Sequence, residues 1–223
     1  MAFVYHAPIL TVDVVIFRLI NGKLNVLLIK RGQEPFKDSW ALPGGYNAAN
    51  DTTMQAVDRV LRTKVGVSPD DLAYVEQLYT FDTVTRDPRG HAVSVTYMGL
   101  SNTLEPQRSD ATQDPVYFPV DELPALAYDH ADIIKYALER LRSKLTYTTA
   151  VYALMPDRFT LTQLQQAYEA VLGKQLDKRN FRKKFLSFGQ LEPTDAFFQE
   201  GAHRPAQLYR FKHQNLQTLL RDF

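Results

Sequence analysis

Residues 42–67 read LPGGYNAANDTTMQAVDRVLRTKVGV, and this stretch decides the fold. It starts with Pro43-Gly44-Gly45, a tight turn that glycines make easily. A helix is predicted over Thr53–Val65, and Gly66 is suited to the position that ends it. The apolar side of that helix is expected to consist of Met54, Val57, Leu61 and Val65. The stretch therefore predicts a turn that leads into an amphipathic helix.

The spacing of these residues resembles a Nudix box, whose pattern is Gly, five residues, Glu, seven residues and Arg-Glu-U-x-Glu-Glu-x-Gly-U, where U is a bulky aliphatic residue. Gly45 stands at the opening glycine, Arg59 at the arginine, Leu61 at the inner aliphatic position and Gly66-Val67 at the end. Asp51 stands where the first glutamate belongs. The other glutamate positions hold Val60, Thr63 and Lys64. The resemblance implies the Nudix loop and helix without most of the acidic side chains.

In active Nudix hydrolases the carboxylates of the box helix lie on one face and hold divalent cations, usually Mg²⁺, that polarise a diphosphate and activate water. Here valine offers no ligand, threonine offers a weak neutral one, and Lys64 repels a cation. We therefore predict no catalytic residue, no metal site and no required cofactor. Arg59 is expected to hydrogen-bond to carbonyl groups of the box loop. The alternative, an active hydrolase that needs Mg²⁺, requires carboxylates outside the box, such as Glu76 or Asp82.

Composition describes a globular protein with an uneven charge distribution. The chain has 223 residues, of which 45% are hydrophobic, and it has no cysteine, which excludes disulfides and thiolate metal sites. No apolar run approaches the roughly 18 residues of a membrane span and no secretory signal is visible, so we expect a cytoplasmic protein with no membrane partner. Residues 1–150 carry 15 basic and 18 acidic side chains, whereas residues 151–223 carry 11 and 7. The basic C-terminal part indicates nucleic-acid binding, with ordinary variation in surface charge as the alternative.

Two domains are predicted, over residues 1–145 and 146–223. In the first, β-rich runs flank the hairpin signal Asn21-Gly22, and residues 101–115 are polar and loop-like. An amphipathic helix over Tyr128–Lys144 ends this domain. Further strands are expected at Tyr74–Phe81 and Ala92–Leu100. The predicted fold class is α/β, a Nudix-like α/β/α sandwich with a C-terminal winged helix-turn-helix domain.

The second domain has the element order of a winged helix, three helices followed by a two-stranded hairpin. A short helix over Tyr147–Leu154 precedes a helix that opens with the capping box Thr160-Leu161-Thr162-Gln163 and stops at Gly173. Asp177 is suited to cap the third helix. The third helix is expected to span Lys178–Phe188. The two strands of the hairpin are expected at Phe197–Glu200 and Gln207–Phe211.

The third helix belongs to a strongly basic segment, KQLDKRNFRKK (174–184). Phe181, Phe185 and Phe188 form its inward stripe, which leaves Arg179, Arg182 and Lys183 on the outward face. A helix of this kind suits insertion into the major groove of DNA, with the loop over residues 201–205 as the wing. The predicted DNA-binding residues are Lys178, Arg179, Asn180, Arg182, Lys183, His203 and Arg204. A winged helix that binds another protein through this basic face is the alternative.

Several segments together resemble sequences of the NrtR family, whose members are Nudix-related transcriptional regulators of bacterial NAD metabolism. These segments are LLIKRGQEPF (27–36), the degenerate box, RDPRG (86–90) and DKRNFRKK (177–184), and the resemblance covers nearly the whole chain. It implies a Nudix domain that senses a metabolite, typically ADP-ribose, and a winged helix that binds double-stranded operator DNA as a homodimer. A related branch senses sugars such as arabinose, so the effector does not follow from the architecture.

Carried onto this sequence, the resemblance implies a ligand pocket between the box loop and the RDPRG loop. A diphosphate needs backbone N–H groups and forked guanidinium donors. The residues expected to bind it are Arg31, Gly44, Gly45, Lys64, Arg86 and Arg89. Lys64 is assigned the counter-charge in the metal position, and stacking on an adenine is assigned to Phe36, Trp40 or Tyr97. The sequence thus predicts a repressor whose inactive Nudix domain binds ADP-ribose or a related metabolite, with an active hydrolase or a sugar-sensing regulator as alternatives.

Overall fold

A computed structural model describes residues 7–107, 113–199 and 205–219 of the chain. Within these ranges, seven strands of the N-terminal part form one sheet. Its strands are β1 (Ile9–Ile20), β2 (Lys23–Lys30), β3 (Trp40–Ala41), β4 (Gly44–Tyr46), β5 (Tyr74–Phe81), β6 (Ala92–Leu100) and β7 (Gln113–Pro119). The order is β3-β2-β1-β6-β5, with β4 also paired to β1 and β7 to β2. The strands predicted for β5 and β6 are confirmed with their boundaries.

The β1–β2 hairpin turns at Asn21-Gly22, as predicted. Ile20 lies opposite Lys23 in the antiparallel register, so the connection has two residues. Their φ angles are 51° at Asn21 and 76° at Gly22. Positive φ at both positions is the geometry that matches the twist of the flanking strands, and asparagine followed by glycine adopts it at low cost.

Helix α1 (Thr53–Lys64) covers one face of this sheet, and helix α2 (His130–Lys144) covers the other. Alternate residues of β1 point to opposite faces. Val14 and Ile16 belong to the buried cluster under α1, whereas Val15 and Phe17 belong to the cluster under α2. The predicted α/β/α sandwich is thereby confirmed.

Helix α1 begins with a capping box that fixes its first turn. The Thr52 hydroxyl accepts the Gln55 N–H, and the Gln55 side chain accepts the Thr52 N–H. Met54 was expected on the buried side, but it is 41% exposed, so that prediction is wrong. The buried side consists of Ala56, Val57, Val60 and Leu61. Val60 belongs to it because it stands one helical turn after Ala56 and Val57.

Two segments of the N-terminal part differ from the sequence prediction. Residues 113–115 were expected in a loop but belong to β7, because they extend its pairing with β2. Helix α2 begins at His130 rather than Tyr128, since the φ of 54° at Tyr128 is incompatible with a right-handed helix. The turn before it is held by a tertiary contact, in which the Ala127 N–H donates to the Trp40 carbonyl at 2.8 Å.

The C-terminal part has the element order of a winged helix, as predicted. Helix α3 (Leu161–Leu172) opens with the capping box of Thr160 and Gln163, and Gly173 ends it with a φ of 67°. Asp177 accepts the Asn180 N–H and opens helix α4 (Lys178–Ser187). The three-stranded sheet has the order β8 (Phe159–Thr160), β10 (Ala206–Phe211) and β9 (Leu191–Phe198).

Two boundaries in this part were predicted wrongly. The helix expected over residues 147–154 is a single 3₁₀ segment, Ala150–Leu154. Strand β9 begins at Leu191 instead of Phe197, since its mostly polar start, LEPTD, is ordered by antiparallel pairing with β10 rather than by its own pattern.

The two predicted domains share one hydrophobic core. Phe17 of β1, Ile134 of α2 and Leu164 of α3 belong to the same cluster of buried side chains. The Tyr152 hydroxyl of the C-terminal part also donates to the Ala73 carbonyl at 2.8 Å. The predicted boundary near residue 145 therefore lies inside a continuous core. In the described ranges, no helix has the length and apolar character that a membrane span requires.

Candidate functional site

A cavity of about 320 Å³ opens between the box turn, the RDPRG loop and the start of α2. Its wall includes the six residues predicted to bind a ligand: Arg31, Gly44, Gly45, Lys64, Arg86 and Arg89. The wall also includes the acidic residues Asp13, Glu34 and Asp87, the polar residues Thr11, Gln33 and His130, and two tyrosines, Tyr128 and the exposed Tyr46. The fold thus brings residues from six separate parts of the chain to one place.

The box turn approaches β1 closely because Gly44 has no side chain. A Cβ at Gly44 would collide with the Oδ1 atom of Asp13 and would lie 2.9 Å from the Val12 carbonyl oxygen. Gly45 faces α1, where an added Cβ would lie 3.0 Å from Val60. These contacts place the backbone of the box turn directly on the floor of the cavity, next to a buried carboxylate.

Asp13 is the centre of a buried polar network below the cavity. Its Oδ2 atom accepts a hydrogen bond from the Ser94 hydroxyl at 2.6 Å and lies 3.4 Å from Arg86 Nη2. Arg86 also binds Asp129 through two hydrogen bonds of 2.8 Å, and its side chain is only 5% exposed. Burial opposes the charge of Arg86, but the carboxylates of Asp129 and Asp13 raise its pKa above the ordinary value. Arg86 therefore lines the cavity as a charged residue whose charge is balanced by Asp13 and Asp129.

His130 connects the box turn to helix α2. Its Nδ1 atom accepts the Leu42 N–H at 2.9 Å, so in the neutral ring the proton is on Nε2, which lies 3.6 Å from Asp13 Oδ1. Burial lowers the pKa of His130, and the charges of Asp13 and Asp129 oppose this effect. Sequence reasoning missed both Asp13 and His130. A lone acid in the apolar strand TVDVVIF was an available signal, because a buried carboxylate needs partners.

Arg89 spans the mouth of the cavity. Its guanidinium is paired with Asp87 and also donates to the Tyr46 hydroxyl at 2.6 Å and to the Tyr128 hydroxyl at 3.3 Å. The hydrogen bonds with Asp87 raise the pKa of Arg89 and lower that of Asp87. The side chain is 44% exposed, so its donors face the opening. Of the predicted guanidinium groups, Arg89 is the one most accessible from solvent at this opening.

Aromatic side chains line the mouth, but they are not the ones that were expected. Tyr97 is buried, with its hydroxyl 2.6 Å from the Thr53 hydroxyl, and Trp40 packs edge-on against Phe118. Phe36 does not belong to the cavity wall but packs against Tyr128, which does, with ring centroids 4.8 Å apart. Arg31 also stacks on Tyr128, with its guanidinium 4.8 Å from the ring centre. The aromatic rings of the cavity wall are therefore those of Tyr46 and Tyr128.

Lys64 brings a cation to the floor of the cavity. Its ammonium group donates to the Gly44 carbonyl of the box turn. Burial lowers the pKa of Lys64, and the nearby charges of Arg31 and Arg59 lower it further, while Asp13 opposes them. The amine thus occupies the position of a box glutamate with a charge of the opposite sign.

The two acidic residues left in the box are paired with arginines. Arg59 donates to the Tyr46 carbonyl at 2.8 Å and to Asp51 at 3.2 Å, which confirms its predicted contact with the loop. Asp58 accepts from Arg62 at 2.9 Å. Among the residues that the structure describes, no group of three or more His, Cys, Asp or Glu side chains is arranged to hold a metal ion.

Glu76, which the hydrolase alternative invoked, lies outside the cavity wall. Its Oε2 atom binds the Lys144 ammonium at 2.8 Å and accepts from the Tyr74 hydroxyl at 2.8 Å. This pairing joins β5 to the end of α2. Asp82, the other carboxylate invoked, follows β5 and also does not belong to the cavity wall.

A second candidate site is the outer face of helix α4. Phe181 and Phe185 pack against Tyr168 of α3, with ring centroids 5.4 Å and 5.5 Å away, and Phe185 is almost fully buried. This packing confirms the predicted inward stripe. The exposed basic residues of α4 are Lys178, Arg179, Lys183 and Lys184, and Asn180, Leu186 and Ser187 are also exposed.

Arg182 is an exception to the predicted outward face. It is only partly exposed, and its Nη2 atom donates to the Thr162 hydroxyl of α3 at 3.1 Å. The prediction that it lies on the outward face together with Arg179 and Lys183 is therefore wrong in part, since its guanidinium contacts the neighbouring helix. The predicted wing residues His203 and Arg204 lie outside the described residues.

Family models match both parts of the chain. A NUDIX domain model matches residues 9–141, and a model of the NrtR DNA-binding winged helix domain matches residues 151–211. The chain is also 39% identical to the ADPR responsive transcriptional repressor NtrR of Acinetobacter baylyi over 216 residues, which cover 95% of this chain and 85% of that protein.

Two solved structures of NrtR from Shewanella oneidensis are similar to this chain. The crystal structure of NrtR complexed with a 27mer DNA has 34% sequence identity and a TM-score of 0.76, and the match covers 91% of this chain and 93% of that one. The Nudix domain of NrtR complexed with ADP ribose has 35% identity and a TM-score of 0.56, and the match covers 61% of this chain and 90% of that one.

The fold and the cavity define a Nudix domain joined to a winged helix DNA-binding domain. The chain belongs to the NrtR family of transcriptional regulators. The resemblance seen in the sequence is thereby confirmed over nearly the whole chain.

Proposed function

We propose that this protein is a transcriptional repressor that binds operator DNA through α4 and releases it when ADP-ribose, or a related NAD-derived metabolite, occupies the cavity. One observation carries the proposal. The cations Arg31, Lys64 and Arg89 surround one cavity, while a second, basic surface lies on the helix expected to read DNA. Two relatives support it: one is an ADPR responsive repressor, and the other is an NrtR whose structure was solved with DNA.

The cavity suits a nucleoside diphosphate because it combines cations with aromatic rings. Lys64 and Arg89 supply donors for phosphate oxygens, and the box turn adds backbone groups of Gly44 and Gly45. Tyr46 and Tyr128 offer ring faces to a nucleobase at the mouth. Below the ligand, the charge of Arg86 balances those of Asp129 and Asp13. Without this pairing, the two carboxylates would repel the phosphates.

We infer that the cavity binds this ligand without hydrolysing it. Three of the four glutamate positions of the box hold Val60, Thr63 and Lys64. Val60 is buried in the core and Lys64 is bonded to the box turn. Asp51 and Asp58, the acids that remain, are held by arginines. A sensor without hydrolytic activity keeps its effector intact for as long as it is bound.

The winged helix suits a duplex because α4 presents cations on a helix docked by aromatic rings. Lys178, Arg179 and Lys183 are free to approach the DNA, and Asn180 can read an adenine edge. We expect a homodimer to bind two half-sites, as helix-turn-helix proteins usually do. The effector then weakens binding by favouring a dimer geometry in which the two α4 helices no longer match adjacent half-sites.

Titration of the protein with a fluorescein-labelled fragment of its own upstream DNA tests this function. We expect tight binding that weakens when ADP-ribose is added, measured by fluorescence anisotropy. An equimolar mixture of AMP and ribose 5-phosphate is the control and should have little effect, because the diphosphate is missing. Lack of DNA binding, or binding that ADP-ribose does not alter, contradicts the proposal.

Two further arms separate the alternatives. Release of AMP from ADP-ribose in the presence of Mg²⁺, followed by chromatography, would identify an active hydrolase instead. Release of DNA by arabinose but not by ADP-ribose would identify a sugar-sensing regulator.

A further inference from the structure

Helix α2 joins the cavity to the C-terminal part of the molecule. Its first residue, His130, accepts the Leu42 N–H of the box turn, and its N-cap, Asp129, binds Arg86 of the RDPRG loop. With 15 residues rising about 1.5 Å each, the helix is roughly 22 Å long. On its inner face, Ile133, Ile134 and Leu141 are each at most 2% exposed, so the helix is packed along its length against the core.

Near its other end, α2 holds the C-terminus of α3. The Arg142 Nε atom donates to the Val171 carbonyl at 2.8 Å. Val171 is in the last turn of α3, where carbonyl groups have no amide partner further along the helix. A cation at this end of a helix is also favoured by the helix dipole. Gly173 lets the guanidinium approach, since an added Cβ there would lie 3.3 Å from Arg142 Nη2.

The segment that Arg142 holds is tied to the start of α4. The Glu169 carboxylate of α3 accepts the Leu176 N–H at 2.8 Å, and the Gln165 amide donates to the Leu176 carbonyl at 2.9 Å. Asp177, the next residue, caps α4. The end of α3, the turn and the start of α4 therefore form one hydrogen-bonded unit, and Arg142 contacts that unit at the end of α3.

We propose that Arg142 is the positioning residue through which occupancy of the cavity changes the placement of α4. The proposal rests on the proposed function. A ligand that displaces the box turn at the Leu42–His130 contact, or that shifts the intact Arg86–Asp129 pair, displaces the first turn of α2, and the helix carries that displacement to Arg142. Arg142 then shifts the turn before α4. A two-state element that both sites contact is the physical requirement for such coupling.

The test compares Arg142→Met with Arg140→Met in the full-length protein. Arg140 lies on the same helix, but its guanidinium donates to the Leu78 carbonyl of β5 and stacks on Tyr136, both in the N-terminal part. For each variant, the Kd for upstream DNA is measured with and without saturating ADP-ribose, and the Kd for ADP-ribose is measured without DNA. The decisive quantity is the Kd for DNA with ADP-ribose divided by the Kd for DNA without it.

We expect Arg142→Met to reduce this ratio at least about threefold toward 1, within the range of usual coupling strengths, and Arg140→Met to leave it within about twofold of the wild type. The Kd for ADP-ribose should remain close to wild type in both. A purely structural role of Arg142 weakens DNA binding equally with and without ADP-ribose, so an unchanged ratio overturns the proposal. An equal loss in Arg140→Met also overturns it.

If Arg142→Met does not fold, Arg142→Gln, which keeps a polar chain but loses the charge and the reach, is measured instead against the same thresholds. A wild-type protein that does not respond to ADP-ribose contradicts the proposed function itself. If ADP-ribose weakens DNA binding equally in the wild type and in the Arg142 variant, only the role of Arg142 is contradicted.

Discussion

Lys64 illustrates how a single residue changes what a Nudix-like turn and helix can bind. It stands at a glutamate position of the box, yet its ammonium donates to the Gly44 carbonyl on the cavity floor. Burial makes the charged form costly, and this cost lowers its pKa. A bound diphosphate would offset that cost, because it brings negative charge next to the amine. The same position would need a carboxylate to hold Mg²⁺.

The first prediction concerns the affinity of the cavity for ADP-ribose. Lys64→Met should weaken binding roughly tenfold to a hundredfold, since a hydrogen bond to a charged group contributes about 1.5–3 kcal/mol. Isothermal titration calorimetry at neutral pH measures this loss. Lys37→Met, an exposed lysine away from the cavity wall, is the matched control.

The pH dependence gives a second readout of the same prediction. Because the pKa of Lys64 lies below the ordinary lysine value of 10.5, the wild-type amine loses its proton earlier as pH rises. Anion affinity should therefore decline in the alkaline range below 10.5 for the wild type, and this decline should be smaller in Lys64→Met. Equal affinities of the two proteins at neutral pH would show that Lys64 does not contact the ligand.

At the scale of elements, α4 divides its basic residues between two tasks. Arg179 and Lys183 are exposed, whereas Arg182 lies against α3 and donates to Thr162. The Nε atom of Arg182 is buried without a hydrogen-bond partner in the structure. Arg182 therefore contributes to the packing angle of the two helices as well as to the charge of the surface.

The second prediction separates these tasks by substitution. Arg179→Ala and Lys183→Ala should each weaken DNA binding and reduce the slope of log K against log salt by about 0.9, the value for one phosphate contact, with little change in Tm. Arg182→Ala should weaken binding and also lower Tm, because the tie to α3 is lost. Anisotropy across a salt series and thermal melting measure both properties. Lys135→Ala on α2 is the control, and a Tm of Arg182→Ala equal to that of Arg179→Ala would refute the division.

At the scale of the whole molecule, the shared core makes the sensor and the DNA-binding part mechanically dependent. The cluster under α2 contains Phe17 and Leu28 from the first sheet and Leu164 and Phe185 from the winged helix. Helix α2 lies within this cluster and contributes Ile133 and Ile134 to it. A displacement at the cavity is therefore not absorbed by a loose linker.

The third prediction is that the chain unfolds in one cooperative transition. Leu164→Ala, in the fully buried part of α3, should cost roughly 2–5 kcal/mol and lower the midpoint reported by the single tryptophan, Trp40, in the other part of the molecule. Fluorescence of Trp40 and far-UV circular dichroism measure the two midpoints. If Leu164→Ala shifts the dichroism signal but leaves the Trp40 midpoint unchanged, the two parts unfold independently.

Elements whose signals lie within a few residues could be predicted from the sequence. The Asn21-Gly22 turn, the capping box of Thr160 and Gln163, and the Asp177 cap all depend on hydrogen bonds or φ preferences inside one turn of chain. The apolar period of α4 likewise indicated that Phe185 points inward. The degenerate box, the basic segment and the segments LLIKRGQEPF and RDPRG together were enough to identify the family.

What the sequence could not supply were contacts between distant segments. The partner of Arg182 is Thr162 on another helix, and Val60 rather than Met54 faces the core because of how α1 lies on the sheet. Strand β7 and the start of β9 are ordered by pairing with β2 and β10. Periodicity tells which side of an element is apolar, but it does not tell what lies across from it.

By itself, then, the sequence determined the two kinds of domain, the loss of the box carboxylates and the basic helix, because composition and local spacing encode all three. The tertiary structure alone decided that Asp13, Arg86 and Asp129 meet beneath the cavity and that Arg142 reaches the end of α3. Asp13 and Arg86 are 73 residues apart in the chain, and Arg142 and Val171 are 29 apart. Such contacts exist only after the sheet and the core have closed, since no local preference of the chain brings these charges together.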